Sequence, residues 1–201
     1  MSTPAETHAA NSQTRLVAYR KLFGGKPSAV FTFADADHPI EVLVFDLERE
    51  GQPPFVAAVT SGMSDQRMVG EGEDDAEWSR REIIQYLPTC DEAHARRLRD
   101  MAWLPLFDGF SLDSHHTIEW PDAALPGSPW KNAFFLEPLL KSHRNFRFKI
   151  ADDEASFLWH IPISDEEYAY KKENGSNALL DRLEEVVLPW IFDENNRPSL
   201  V

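Results

Sequence analysis

The sequence predicts an α+β fold, on three observations. Short runs rich in β-branched and aromatic residues follow one another through the first half, with gaps too short for helical crossovers. The stretch Phe157–Asn174 passes from an apolar, strand-like run into a helix that carries a complete start signal. Behind it, Leu179, Leu180, Leu183, Val186 and Val187 fall on one helical face, which must be buried against something.

Length and charge bound the rest. A chain of 201 residues makes one domain or two small ones, and hides roughly 70% of its unfolded surface on folding. The expected division is a disordered N-terminus over residues 1–10 and a single domain over 11–201. With 34 acidic against 20 basic residues, the formal charge of −14 repels phosphate backbones and favours a basic protein partner. The same charge also keeps a protein in solution. One cysteine, Cys90, excludes an intrachain disulfide. The N-terminus has no apolar core of a leader peptide, and no apolar run approaches the ~20 residues of a membrane span. The expectation is a cytoplasmic protein with neither nucleic acid nor membrane as partner.

Taken in order, Leu16, Tyr19, Leu22 and Phe23 make a helical stripe from about Ala9, ended by Gly24-Gly25. Strands are predicted at Ala29–Phe33, Ile40–Leu47 and Phe55–Thr60, joined as antiparallel hairpins. Ser61 to Glu77 is rich in glycine and acids and loses apolar periodicity, so it reads as a solvated loop. Arg80–Leu87 is a strand, broken by Pro88. Asp91 to Trp103 is a helix, with Asp91 or Thr89 as its cap. Strands follow at His115–Trp120, Phe134–Leu140 and Phe146–Ile150, the last alternating apolar with basic residues. The Phe157–Ile161 strand should stop near Pro162, which has no N–H for a ladder. Ser164 and Glu167 then form a capping box, and Asn174-Gly175 ends that helix. The tail from Leu188 is too apolar for a free end and should dock.

No pattern supplies a reaction. Lys26 follows two glycines, but G-x-x-x-x-G-K-[ST] is absent and Pro27 stands where Ser or Thr is needed. The cluster Glu71, Glu73, Asp74, Asp75 and Glu77 lacks the spacing of a calcium loop. Asp91-Glu92-Ala93-His94 spells a helicase box without the phosphate loop a helicase needs. His115 and His116, adjacent on a strand, would point to opposite faces and chelate no common metal. Ser64 lacks the second glycine of a nucleophile elbow, and Cys90 has only His94 one turn on. No cofactor is expected.

Several segments also form an ordered series. Gly62-Met63-Ser64-Asp65 follows a strand; then come the Arg81-Glu82-Ile83-Ile84 strand, the helix ending near Trp103 with Asp108-Gly109 behind it, and His116 to Trp120. The series continues through Phe157-Leu158 to Pro162-Ile163, Glu166-Glu167, and Asn174-Gly175 with Leu179-Leu180. It closes on Asp193 through Arg197-Pro198-Ser199. From about Val30 to Val201 the chain thus resembles the Suppressor of fused family, its bacterial single-domain members in particular. The resemblance implies a central mixed, largely antiparallel β-sheet flanked by helices, similar to the N-terminal domain of the animal protein. That relative restrains a transcription factor by gripping an extended peptide between two domains; the likeness here is to the first of them. Bacterial members look like immunity proteins, which neutralise a toxin.

The function expected from all this is a non-catalytic protein-binding domain, of the immunity type or otherwise sequestering a basic protein. A transcription-factor-sequestering regulator and an enzyme of unrecognised type are the alternatives. Partner contacts are expected at Ser61, Gly62, Met63, Ser64, Asp65, Asp74 and Asp75, where a strand edge meets exposed carboxylates.

Overall fold

The structure is a computed structural model and describes residues 3–33, 39–68, 80–138, 140, 142–185 and 191–192. The first helix, α1 (Pro4–Phe23), begins earlier than the sequence reading allowed. Residues 4–10 are helical, where disorder was expected, because Thr3 and Glu6 form a capping box and Pro4 sits in the first turn. Gly24 closes the helix in a left-handed conformation, as expected.

The strands are β1 (Ala29–Phe31), β2 (Glu41–Leu47), β3 (Phe55–Ser61), β4 (Arg81–Leu87), β5 (Thr117–Glu119), β6 (Asn132–Leu136), β7 (Arg147–Ile150) and β8 (Asp153–Ile163). They form a mixed sheet in the order β1-β2-β3-β4-β8-β6-β5, with β7 also paired to β8. Among the described residues every ladder is antiparallel except β4 with β8, where Arg81 to Ile84 pair with Ser156 to Trp159. The remaining helices are α2 (Glu92–Asp108), α3 (Asp165–Asn174) and α4 (Ser176–Glu185).

Period-two alternation divides the core between the two faces of the sheet. On one face Ile84, Tyr86, Phe157, Trp159 and Ile161 pack with Tyr19 and Phe23 of α1 and Leu179 and Leu183 of α4. On the other, Ile83, Leu87, Leu158 and Phe135 meet Ala95, Leu98, Met101 and Ala102 of α2. His160 lies on this second face, wholly buried, and burial with the nearby Arg97 charge pushes its pKa down to about 3. Phe192 docks on the same face: its N–H donates to Tyr86 O at 3.0 Å and its ring meets Trp130 edge-on. Ile191 packs against the first face, while residues 186–190, with Val186 and Val187, and 193–201 lie outside the described residues.

Several strand ends differ from expectation: β1 stops at Phe31 rather than Phe33, and β6 spans Asn132–Leu136 rather than Phe134–Leu140, its pairing with β8 ending at Leu136 opposite Trp159. β8 does not stop at Pro162 but pairs that residue with Ala133. Ser156 donates its N–H to Arg80 O on the β4 side, and alternation turns residues 158, 160 and 162 the same way. The β4 ladder ends at Trp159, so the missing N–H of Pro162 faces a stretch with no ladder to break. β5 starts only at Thr117, because His115 sits in a turn with φ +69°. Likewise α2 runs past Trp103 through Pro105 and ends at Gly109, φ +69°. The Ser164–Glu167 capping box forms as read.

Candidate functional site

The Ser61–Asp65 segment is built by one glycine and one buried acid. Gly62 turns the chain out of β3 with φ +139°, and a Cβ there would lie 2.3 Å from Pro39 O. Only glycine fits both the angle and the space. The next three residues, Met63–Asp65, make a single 3-10 turn.

Glu82 of β4 holds that turn from beneath. Its side chain is fully buried, and its carboxylate accepts from Thr60 Oγ1 at 2.6 Å and Gly62 N–H at 2.9 Å. It also accepts from Ser64 N–H at 3.1 Å and Ser64 Oγ at 2.6 Å. Four donors on one carboxylate offset its desolvation, which an isolated buried charge cannot do.

The polar side of α1 closes over the turn. Arg15, itself fully buried, forks onto Asp65: one terminal nitrogen lies 2.5 Å from Oδ1 and the other 3.2 Å from Oδ2. Its Nε donates to Ser61 Oγ at 2.8 Å and lies 4.0 Å from Glu82. Asn11 donates to Asp65 Oδ1 at 2.7 Å, and His8 Nδ1 donates to Oδ2 at 3.0 Å. The Asp65 bond, helped by Glu41 at 3.7 Å from Nε2, outweighs burial and Arg15 repulsion and raises the His8 pKa to about 9. Burial pulls the Asp65 carboxyl upward, but the hydrogen bonds from His8 and Arg15 prevail and hold it below its ordinary value.

The structure gathers Ser61, Gly62, Ser64 and Asp65 into one polar network and puts Met63 in the apolar core. Ser61, Met63 and Ser64 are buried as whole residues, and β3 lies inside the sheet with Ser61 paired to Glu41. The strand edge and exposed carboxylate expected here are thus replaced by a covered turn. Asp74 and Asp75, and the acidic cluster from Glu71 to Glu77, lie outside the described residues. The sequence reading missed Glu82, Arg15, His8, Asn11 and Thr60. One signal was there for Glu82: it shares a period-two face with Ile84 and Tyr86, where a carboxylate must be buried and satisfied.

The other chemical candidates are not assembled. Cys90 is half-buried, and burial with the Asp91 charge pushes its thiol up to about 12. His94 Nδ1 pairs with Asp91 at 2.6 Å, its own helix cap, so it does not orient toward Cys90 as a base. His116 Nδ1 accepts the Asp113 N–H at 3.2 Å, and His115 gives its backbone N–H to Phe135. Among the described residues no group of three or more His, Cys, Asp or Glu is placed to hold a metal ion. No described helix is long and apolar enough to cross a membrane.

Comparison with known proteins places this arrangement. The fold matches a Suppressor of fused homologue from Neisseria gonorrhoeae with a TM-score of 0.73 and 16% identity, over 96% of this chain and 98% of that one. The structure of a Sufu–Fu complex matches with a TM-score of 0.73 and 11% identity, over 94% of this chain and 92% of that one. Drosophila Suppressor of Fused matches with a TM-score of 0.71 and 11% identity; 94% of this chain is covered, and 51% of the Drosophila chain. Identities this low show the fold alone. No curated protein matches. The family model described as Suppressor of fused protein matches residues 36–197, most of the sequence, and on that match the chain belongs to the Suppressor of fused family.

Proposed function

We propose that this protein is a non-catalytic protein-binding domain of the immunity type, which neutralises a toxin or otherwise sequesters a basic protein partner in the cytoplasm. The observation that carries the reading is family membership, together with a fold-mate whose structure was determined as a complex with a protein, Fu. The formal charge of −14 supports a basic partner, through fast, salt-sensitive association.

In this reading the partner docks beside the Ser61–Asp65 segment, where the Asp65 side chain is 9% exposed, and at the charges of Asp74 and Asp75. The turn at Ser61–Ser64 is buried beneath that surface, so in this reading it does not touch the partner but fixes Asp65 in place through the bonds of Glu82 and Arg15.

The test uses the product of the adjacent reading frame. Mixed with this chain, a basic toxin should bind tightly, lose affinity as salt rises, and spare cells that express both. Asp74→Lys with Asp75→Lys should weaken binding without unfolding. A neighbouring toxin that neither binds nor is neutralised sinks the immunity reading. A DNA-binding regulator captured instead would move the reading to transcription-factor sequestration.

A further inference from the structure

β8 is paired on one side by two different strands. β7 covers Asp153 to Ser156 and β6 covers Trp159 to Ile163. Phe157 and Leu158 lie between them, at a split in the sheet. Because Ser156 turns its N–H toward β4, alternation aims the Phe157 backbone into the split. A cleft of about 300 Å³ opens there, at the small end of ligand pockets, which run from roughly 300 to 1,000 Å³.

Its floor holds Arg81, 7% exposed, which hydrogen-bonds Ser156 Oγ and pairs with Asp113 at 2.7 Å. Its rim carries Glu137, Asn145 and Arg147, all exposed. One wall is aromatic: Phe146 stacks on Phe157 with centroids 6.0 Å apart and planes 14° from parallel. His143 adds no charge at neutral pH, since burial lowers its pKa to about 4 and its Nδ1 meets Tyr86 Oη at 2.6 Å.

The charges are the informative part. In a chain with 34 acids and 20 bases, this cleft is lined by two cations and two anions. A purely anionic ligand would face Asp113 and Glu137, and a purely cationic one Arg81 and Arg147. A small molecule that carries both charges a few bonds apart meets neither penalty. We propose that the split between β6 and β7 is a binding site for a free amino acid. Its carboxylate lies toward Arg147 and Arg81, its ammonium toward Glu137, and its side chain on the Phe146–Phe157 stack.

The test is calorimetry and amide-shift titration of the full chain with each of the common amino acids at millimolar concentration. At least one should saturate, with shifts at Phe146, Arg147 and Phe157. Its N-acetyl and its amide derivative, each lacking one charge, should bind at least about tenfold more weakly, which is ~1.4 kcal/mol. Arg147→Gln and Glu137→Gln are rim substitutions that leave the core alone, and each should weaken binding by a similar factor. No saturable titration with any amino acid overturns the proposal. So does equal binding of the free and the blocked forms, or binding unchanged in both variants. None of these outcomes depends on whether the protein neutralises a toxin.

Discussion

Arg81 and Glu82 are neighbours on β4, and the sheet sends them into opposite kinds of environment. Glu82 enters a closed site, where four donors and a covering helix saturate it. Arg81 enters an open one, where it pairs with an Asp113 whose side chain is 43% exposed and lines a cleft. Alternation alone separates them. The closed site trades accessibility for rigidity. The open site leaves Asp113, Glu137 and Arg147 at the surface, with Arg147 also 3.8 Å from Glu154.

The comparison is broken most directly at Glu82. Glu82→Ala leaves Thr60, Gly62 and Ser64 donors and Arg15 without their buried acceptor, and should cost about 3–5 kcal/mol in urea denaturation. Gly62→Ala comes next. A Cβ 2.3 Å from a carbonyl, at φ +139°, should cost roughly 2–4 kcal/mol and displace the turn.

Asp65→Asn keeps the shape of the closed site but removes its charge. It should destabilise by about 2 kcal/mol. By NMR titration it should also drop the His8 pKa from about 9 toward the ordinary histidine value of 6.5. A His8 pKa unmoved by that change would mean Glu41 holds the proton instead.

Histidines set the two regions against each other in pH. His8 has a raised folded pKa, so its contribution is complete below about 6.5 and fades as pH climbs through 9. Asp65, Glu41 and Arg15 are the charged groups that face it. His143, beside the cleft, and His160, under α2, have depressed folded pKa values. The unfolded chain binds more protons there, so their contribution is complete above 6.5 and is lost as pH falls toward 4 and 3. The histidine share of stability should therefore peak near pH 6.5, and chemical denaturation across pH measures it. His8→Gln should flatten the alkaline limb and leave the acid limb intact. The smallest effect belongs to the open site: Arg147→Gln on its rim should change stability by less than about 0.5 kcal/mol.

The legible parts of the fold were those set by local chemistry. The Ser164–Glu167 box, the Gly24 stop and the strand runs follow from residues a few positions apart. Thr3-Pro4-Ala5-Glu6 carries the same start signal, and its nearness to the chain end led it to be read as disorder. Pro162 shows the opposite failure. A correct local rule was overridden because the neighbouring ladder had already ended, a fact held in the pairing and not in the sequence around it. The candidate site was legible only as a segment. Ser61 to Asp65 stood out through its glycine and its acid, but its geometry depends on Arg15 and His8, more than forty residues upstream. No periodicity links a helix face to a distant turn. The split that forms the cleft was invisible for the same reason, since it arises where two strands share one side of a third.

The central ladder also bears on how the chain is made. β1 to β4 can assemble as a local meander soon after synthesis, yet β4 is buried along its whole length in the finished protein. Its second edge waits for residues 156–159, which leave the ribosome some seventy positions later. Until then an apolar strand edge stands open to other nascent chains. The last strand among the described residues inserts at the middle of the sheet, so assembly should be slow and gated by its arrival.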